Sequence, residues 1–201
     1  MLSAHGLSCV RGERRLFAQL DLAVDAGQWL HVRGENGAGK TSLLRLLAGL
    51  SHPAEGEVRW DGQSIHDAES TYRHNRLYFG HQGALKEDLT ALENLSFAAA
   101  MDGTELPDAK AMSALYRFGL KGREELPVRV LSAGQKRRVM LARLATRTTK
   151  LWVLDEPFTA LDVKAVDQLS SLVAEHLAVG GMAVITSHQA VPLPGGRVVQ
   201  L

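Results

Sequence analysis

The octapeptide Gly34-Glu35-Asn36-Gly37-Ala38-Gly39-Lys40-Thr41 constrains this chain more than any other stretch. It fits the pattern of a glycine, four residues, then Gly-Lys-Ser/Thr, in which a loop wraps the phosphates of a nucleotide. Such a loop must bend sharply and approach phosphate oxygens closely, and glycine permits both. With little side chain in the way, successive backbone N–H groups turn inward and form an anion nest. The pattern sends the Lys40 ammonium to the β- and γ-phosphates and the Thr41 hydroxyl to Mg²⁺. The flanks agree. Gln28 to Arg33 reads as a strand, and Leu43, Leu46, Leu47 and Leu50 recur at the spacing of one helix face. That helix directs its positive N-terminal end at the phosphates.

A chain of 201 residues can bury a substantial core, and the expectation is one domain over 1–201. The formal net charge of +1 gives no electrostatic case for nucleic acid as a partner. A single cysteine, Cys9, cannot form an internal disulfide, which fits a reducing compartment. Its apolar neighbours suggest a buried core thiol. Met1 to Val10 lacks the charged start and long apolar core of a signal peptide. No apolar run reaches the roughly 18 residues of a membrane helix. If the protein serves a membrane process, other chains are expected to supply the membrane part.

Along the chain, Leu7 to Val10, Leu16-Phe17 and Leu20 to Val24 read as short strands around a turn at Arg11-Gly12-Glu13. Glu57 to Trp60, the Asp61-Gly62 turn and Gln63 to Ile65 read as a hairpin. Leu77 to Gly80 is a further strand. From Leu89 to about Leu144 the pattern turns helical, with helices beginning near Leu92, at Ala109 and after a Ser132 cap. Lys150 to Asp155 and Met182 to Thr186 are apolar strands, with a helix from Val163 to Ala178 between them. Strands alternating with helices imply an α/β fold: a phosphate-loop core with a mainly parallel sheet, antiparallel strands beside it, and an inserted helical block at about 84–147.

Two other stretches carry chemistry. Leu151 to Glu156 is an apolar strand ending in two carboxylates. Phosphoryl transfer needs a carboxylate to hold Mg²⁺ and a residue to orient or deprotonate the attacking water. Asp155 suits the metal and Glu156 the water. Alone, the pair reads as two solvated acids; beside a phosphate loop it reads as chemistry. Leu131-Ser132-Ala133-Gly134-Gln135 opens a helix with small residues and a free N-terminus, a second anion-binding arrangement. By itself it is a plain helix cap. A second phosphate-binding end makes sense if two copies face each other across the nucleotide.

Together these stretches resemble the ATP-binding cassette (ABC) ATPases over nearly the whole chain. Gly34 to Ser42 matches the Walker A loop, Gln82 the Q-loop, and Leu131 to Gln135 the signature motif. Leu151 to Glu156 matches Walker B, Thr159-Ala160-Leu161-Asp162 the D-loop, and His188 the switch histidine. The resemblance implies a head-to-tail homodimer holding two ATP–Mg²⁺ between its subunits. Gly34, Glu35, Asn36, Gly37, Ala38, Gly39, Lys40, Thr41 and Ser42 of one subunit would hold the phosphates. Ser132, Gly134 and Gln135 of the other would approach the γ-phosphate. The resemblance makes Glu156 the general base, has His188 contact the γ-phosphate, and has Asp162 link the two sites. Thr41, Asp155 and Gln82 would attend the metal, with Gln82 relaying to a membrane partner.

Two positions depart from the family pattern. Ala133 replaces a glycine of the signature. Arg11 stands where an aromatic usually stacks on adenine; a guanidinium can also stack on a base, and Phe17 is the alternative.

A narrower resemblance is to the cytochrome c maturation (haem exporter) ATPases. It is carried by Gly80-His81-Gln82, Leu89 to Leu95, Leu131 to Leu144, Leu151-Trp152 and Asp155 to Asp162. It implies a peripheral subunit on the cytoplasmic face of the bacterial inner membrane, with separate transmembrane permease subunits and haem-handling membrane proteins. ATP hydrolysis would then drive haem delivery or release of a haem-loaded chaperone. Other readings are an ABC subunit with lipid, lipoprotein or small-molecule cargo, or a soluble ATP-driven switch. His5, His31, His52, His66, His74, His81 and His176 are scattered without ligand-like pairing, so no direct haem binding is expected. Phe79, Leu85 and Leu89 either line a docking groove for a membrane subunit or belong to the core.

Overall fold

The computed structural model describes residues 1–67, 69–80, 85–188 and 190–201, without the side chains of Glu69 and Ser70. The chain divides into two compact units: Met1–His81 with Thr149–Thr159 and Val173–Leu201, and Gln82–Thr148 with Ala160–Leu172.

The first unit holds two sheets. One is antiparallel, built from β1 (Leu2–Arg11), β2 (Arg14–Val24), β4 (Glu55–Trp60) and β5 (Gln63–Ser64) in the order β2-β1-β4-β5. The other is parallel: β3 (Trp29–Arg33), β6 (Arg76–Phe79), β7 (Leu151–Leu154), β8 (Met182–Thr186) and β9 (Arg197–Gln200), ordered β6-β7-β8-β3-β9. β7 and β8 are buried along their whole length, as their unbroken apolar runs require in a sheet covered on both faces. Helix α1 (Lys40–Leu47) touches β1 of one sheet and β7 and β8 of the other. Its Leu43, Leu44, Leu46 and Leu47 join Leu7, Leu30, Val32, Trp60, Val153 and Val184 in one hydrophobic core. A short helix α2 (Glu69–Asn75) precedes β6, and Tyr72 is buried against Trp60.

Sequence expectations for β1, Leu50 and Cys9 change here, and the open choice at Phe79 is resolved. β1 begins at Leu2 rather than Leu7. Gly6 has φ +58 and the β1–β2 register shifts between Ala4 and Leu7. This bulge puts Leu2 and Ala4 out of phase with Leu7, so alternation alone hides the longer strand. Leu50 does not extend the apolar face of α1. Gly49, at φ +64, ends the helix: its N–H bonds the Leu46 carbonyl and the Leu50 N–H the Arg45 carbonyl, a paired closure that leaves Leu50 exposed. Phe79 is buried, so it belongs to the core rather than to a docking groove. Cys9 is only half-buried, at the core's margin. The Asp61-Gly62 turn behaves as its composition predicts, with both residues at positive φ, the geometry of a tight hairpin.

The second unit is helical: α3 (Ala91–Met101), α4 (Asp108–Arg117), α5 (Ala133–Ala145) and the first half of α6 (Val163–Ala178). Leu95, Leu115, Phe118, Val139, Leu141 and Leu144 are its buried core. Thr90 and Glu93 cap α3 reciprocally. The buried Asn94 amide secures the chain entering α3, donating to the Lys86, Leu89 and Thr90 carbonyls and accepting from the Lys86 N–H.

Candidate active site

The phosphate-loop sequence connects β3 to α1. Gly39 stands at the helix N-cap with φ +107 and provides no side-chain cap. A Cβ there would lie 3.1 Å from Leu16 Cβ and 3.2 Å from the Phe17 ring, so φ favours glycine and the close approach of β2 leaves a side chain little room. Lys40 is nearly buried, and its ammonium donates to the Gly34 carbonyl at 2.8 Å and the Glu35 carbonyl at 3.2 Å.

Opposite the loop, the end of β7 carries the acids. Asp155 is 1% exposed, yet both carboxylate oxygens have donors: Thr41 Oγ1 to Oδ2 and Thr186 Oγ1 to Oδ1, each at 2.8 Å. The Glu156 N–H donates to the same Thr186 hydroxyl at 2.8 Å. Glu156 has φ +50, a left-handed conformation uncommon outside glycine and concentrated at functional sites. Its Oε2 accepts from Thr159 Oγ1 at 3.3 Å, and its Oε1 lies 3.4 Å from His188 Nε2.

Asn36, Gly37, Gly39, Lys40, Thr41, Ser42, Asp155, Glu156 and His188 surround one cavity of about 510 Å³. Gly34, Glu35 and Ala38 complete the loop behind it; the Ala38 N–H bonds the Glu35 carbonyl at 3.1 Å. Arg11 reaches the cavity, joined by its cross-strand partner Arg14 and by Leu16. Phe17 packs on the hydrophobic core. Gln82 lies outside the described residues.

The remaining predicted residues lie in the helical unit. Ser132 caps α5: its Oγ accepts from the Gln135 N–H at 3.2 Å, and Gln135 Oε1 accepts from the Ser132 N–H at 2.9 Å. The Gln135 side chain is thus spent on the cap, while Ala133 and Gly134 stay exposed. Asp162 caps α6 through the Ala165 N–H at 2.8 Å and ion-pairs with Arg138. The Ala165 N–H, with Arg138 beside it, holds the Asp162 carboxyl below the usual carboxylate range. Ser132, Gly134, Gln135 and Asp162 line a cavity of about 400 Å³ together with Gly119 and Arg138.

Sequence reasoning missed Thr186, Arg14 and Arg138. Each left a faint signal. Thr186 is the polar end of the apolar run from Met182. Arg14 mirrors Arg11 across a two-residue turn. Arg138 follows Gln135 at helical spacing. Among the described residues, no group of three or more His, Cys, Asp or Glu is arranged to hold a metal, and no helix is long and apolar enough to cross a membrane.

Residues 17–159 match the family model described as ABC transporter. The chain belongs to the ABC transporter family as one of its ATP-binding, ATP-hydrolysing cassettes. Among named relatives, it is 54% identical over 201 residues to the cytochrome c biogenesis ATP-binding export protein CcmA of Dechloromonas aromatica, covering 100% of this chain and 98% of that protein. The protein of the same name from Escherichia coli (strain K12) is 48% identical, over 98% of this chain and 94% of its own. Of solved structures, a bacterial ABC transporter cassette determined as a dimer superposes with TM-score 0.87 at 24% identity, covering 100% of this chain and 94% of that one, which establishes the shared fold. An ATP-binding subunit of an ABC transporter gives TM-score 0.81 at 29% identity, covering 93% and 79%.

Proposed function

We propose that this chain is the ATP-hydrolysing subunit of a cytochrome c biogenesis export system. The observation that carries the catalytic part is the single cavity in which Lys40, the Thr41–Asp155 bond and the Glu156–His188 pair converge. The full-length identity to the CcmA proteins supports the assignment to cytochrome c biogenesis.

In this reading the loop amides and Lys40 hold the β- and γ-phosphates, with Asn36 and Ser42 closing the loop around them. Arg11 and Arg14 grip the nucleoside end from the β1–β2 turn. The Thr41 hydroxyl and Asp155 carboxylate are adjacent hard oxygen donors, and they fit Mg²⁺, which favours one or two protein oxygens beside phosphate oxygens. Bound there, the ion would neutralise charge on the β- and γ-phosphates. Glu156 takes a proton from the attacking water as the water oxygen bonds to the γ-phosphorus and the bond from the γ-phosphorus to the bridging oxygen breaks, releasing ADP. His188 orients that water and the γ-phosphate. The catalysis is positioning and charge stabilisation.

A second copy supplies Ser132 and Gly134 to the γ-phosphate, and Asp162 couples the two sites, so hydrolysis requires an ATP-bound dimer. Gln82 relays nucleotide state to a transmembrane permease on the cytoplasmic face of the inner membrane. The work done is delivery of haem, or release of a haem-loaded chaperone, by haem-handling membrane subunits; this chain does not itself bind haem.

The test is recovery of Glu156→Gln protein from membranes with ATP and Mg²⁺, followed by mass spectrometry of its companions. Haem-handling membrane subunits are expected. A different permease would keep the ATPase and discard the cytochrome c role. Soluble partners alone would discard the transport role.

A further inference from the structure

His31 lies in the middle of β3, on the strand that leads directly into the phosphate loop, and is 3% exposed. It is a buried titratable side chain that the hydrolytic scheme leaves unused. Two hydrogen bonds define its state. Arg33 Nε donates to His31 Nδ1 at 3.2 Å, and His31 Nε2 lies 3.3 Å from the Ser187 carbonyl oxygen. A guanidinium only donates, so Nδ1 must be bare. The ring proton therefore sits on Nε2 and is given to the Ser187 carbonyl.

The position of that carbonyl matters. The β3–β8 ladder ends with Val32 opposite Thr186. Ser187 is the first residue past β8, where the ladder to β3 has ended, and His188 follows with its Nε2 3.4 Å from Glu156. Three consecutive residues at this strand end are thus each fixed differently. Thr186 is tied through its hydroxyl to Asp155, Ser187 through its carbonyl to His31, and His188 faces Glu156. Just past the last β3–β8 backbone pair, the imidazole adds a hydrogen bond to this carbonyl. Burial is the main influence keeping this ring neutral, and the adjacent Arg33 adds to it, while the Ser187 carbonyl and the Glu156 carboxylate pull the other way. Protonation would place a second N–H against the Arg33 N–H and break the chain of bonds.

We propose that His31 is a positioning residue for hydrolysis: as the Nε2–H tautomer held by Arg33, it fixes the Ser187 carbonyl and so sets where His188 stands against Glu156. The proposal rests on the reading of Glu156 and His188 as the hydrolytic pair.

The test uses full-length protein labelled with ¹⁵N at histidine. Long-range ¹H–¹⁵N correlation near neutral pH should show His31 with a protonated Nε2 and a bare Nδ1. In His31→Phe, which keeps the buried ring but neither bond, the His188 ring signals should shift. In His31→Gln, whose amide nitrogen can reach the same carbonyl, they should stay near the wild-type positions. ATP turnover should follow the same order, falling about tenfold in the phenylalanine variant and recovering in the glutamine variant, with the Kd for a fluorescent ATP analogue unchanged. A His31 protonated at Nδ1, or His188 signals indifferent to His31→Phe, would overturn the proposal. Glu156→Gln separates the two readings. If it hydrolyses ATP normally, the hydrolytic pair is wrong, while the tautomer and the His188 shift still report on the His31 contact.

Discussion

The Thr186 hydroxyl donates to Asp155 at 2.8 Å while accepting from the Glu156 N–H at 2.8 Å, so one small side chain on β8 fixes both acids at the end of β7. Thr186→Val keeps the shape and removes the hydroxyl. A nearly fully buried carboxylate then loses a donor, at a cost of about 1–3 kcal/mol, and a part-buried N–H loses its acceptor at a smaller cost. A lower urea midpoint and an ATPase rate reduced by about tenfold or more are expected. Thr186→Ser should retain most of both. Normal turnover in the valine variant would show that the network is not needed for catalysis.

Lys40 and Glu156 are expected to fail in different ways. Lys40→Ala removes an ammonium whose present contacts are the Gly34 and Glu35 carbonyls of the loop. It should weaken ATP binding, measured by calorimetry. Glu156→Gln keeps the size of the side chain and removes the carboxylate proposed as the base. It should bind ATP as tightly as the parent, stop hydrolysis and accumulate an ATP-dependent dimer, visible by light scattering. Equal loss of binding in both variants would contradict this division of labour.

Two glycines separate backbone strain from steric overlap. Gly56 and Gly62 both adopt positive φ, at +80 and +84. A Cβ at Gly56 would sit 2.4 Å from the His5 and Gly6 carbonyl oxygens of β1, whereas one at Gly62 meets nothing within 4 Å. Gly62→Ala should cost about 1 kcal/mol from φ alone. Gly56→Ala should cost several times more, because β1 and β4 must part at their bulge. Urea denaturation of the two variants gives the comparison directly.

Acid should weaken the fold through His31 and His176. Both imidazoles are held below their ordinary value of 6.5, chiefly by burial. His176 stacks on Trp152 with ring centroids 4.0 Å apart, and its Nε2 lies 3.1 Å from the Met182 carbonyl. The unfolded chain takes up protons at these sites at a higher pH than the folded chain does. Their stabilising contribution is therefore complete above about 6.5 and declines as pH falls towards the lowered folded values. His176→Phe preserves the stack and removes one titration. It should flatten the fall in urea midpoint on mild acidification, at some cost near neutrality for the lost bond. An unchanged slope would exclude His176 as a contributor.

The legible parts of this molecule share a local origin. The α/β class followed from alternating periodicities, and β8 and α6 begin and end where their apolar patterns do. The Asp61-Gly62 hairpin turn follows from residues that tolerate positive φ, whereas the apolar spacing carried α1 on to Leu50, past its actual end at Gly49. The other failures were non-local. β9, Arg-Val-Val-Gln, is largely exposed and is a strand because β3 offers it a free edge. β1 was underestimated because its Gly6 bulge shifts the alternation within the strand.

The spacing of the phosphate loop, the carboxylates after β7 and the capped start of α5 are legible in the residues alone. Glycine torsions, helix caps and apolar periods act over a few residues and need no knowledge of neighbours. Tertiary structure alone decided which side chains serve those motifs. Thr186 reaches Asp155 because β8 lies beside β7, and His31 reaches Ser187 because β3 lies on the other side of β8. A hydroxyl or an imidazole bonds whichever donor or acceptor the sheet order places within about 3 Å. That order is set by burying apolar faces across the whole chain, so the partners of these polar side chains appear only once the sheet is assembled.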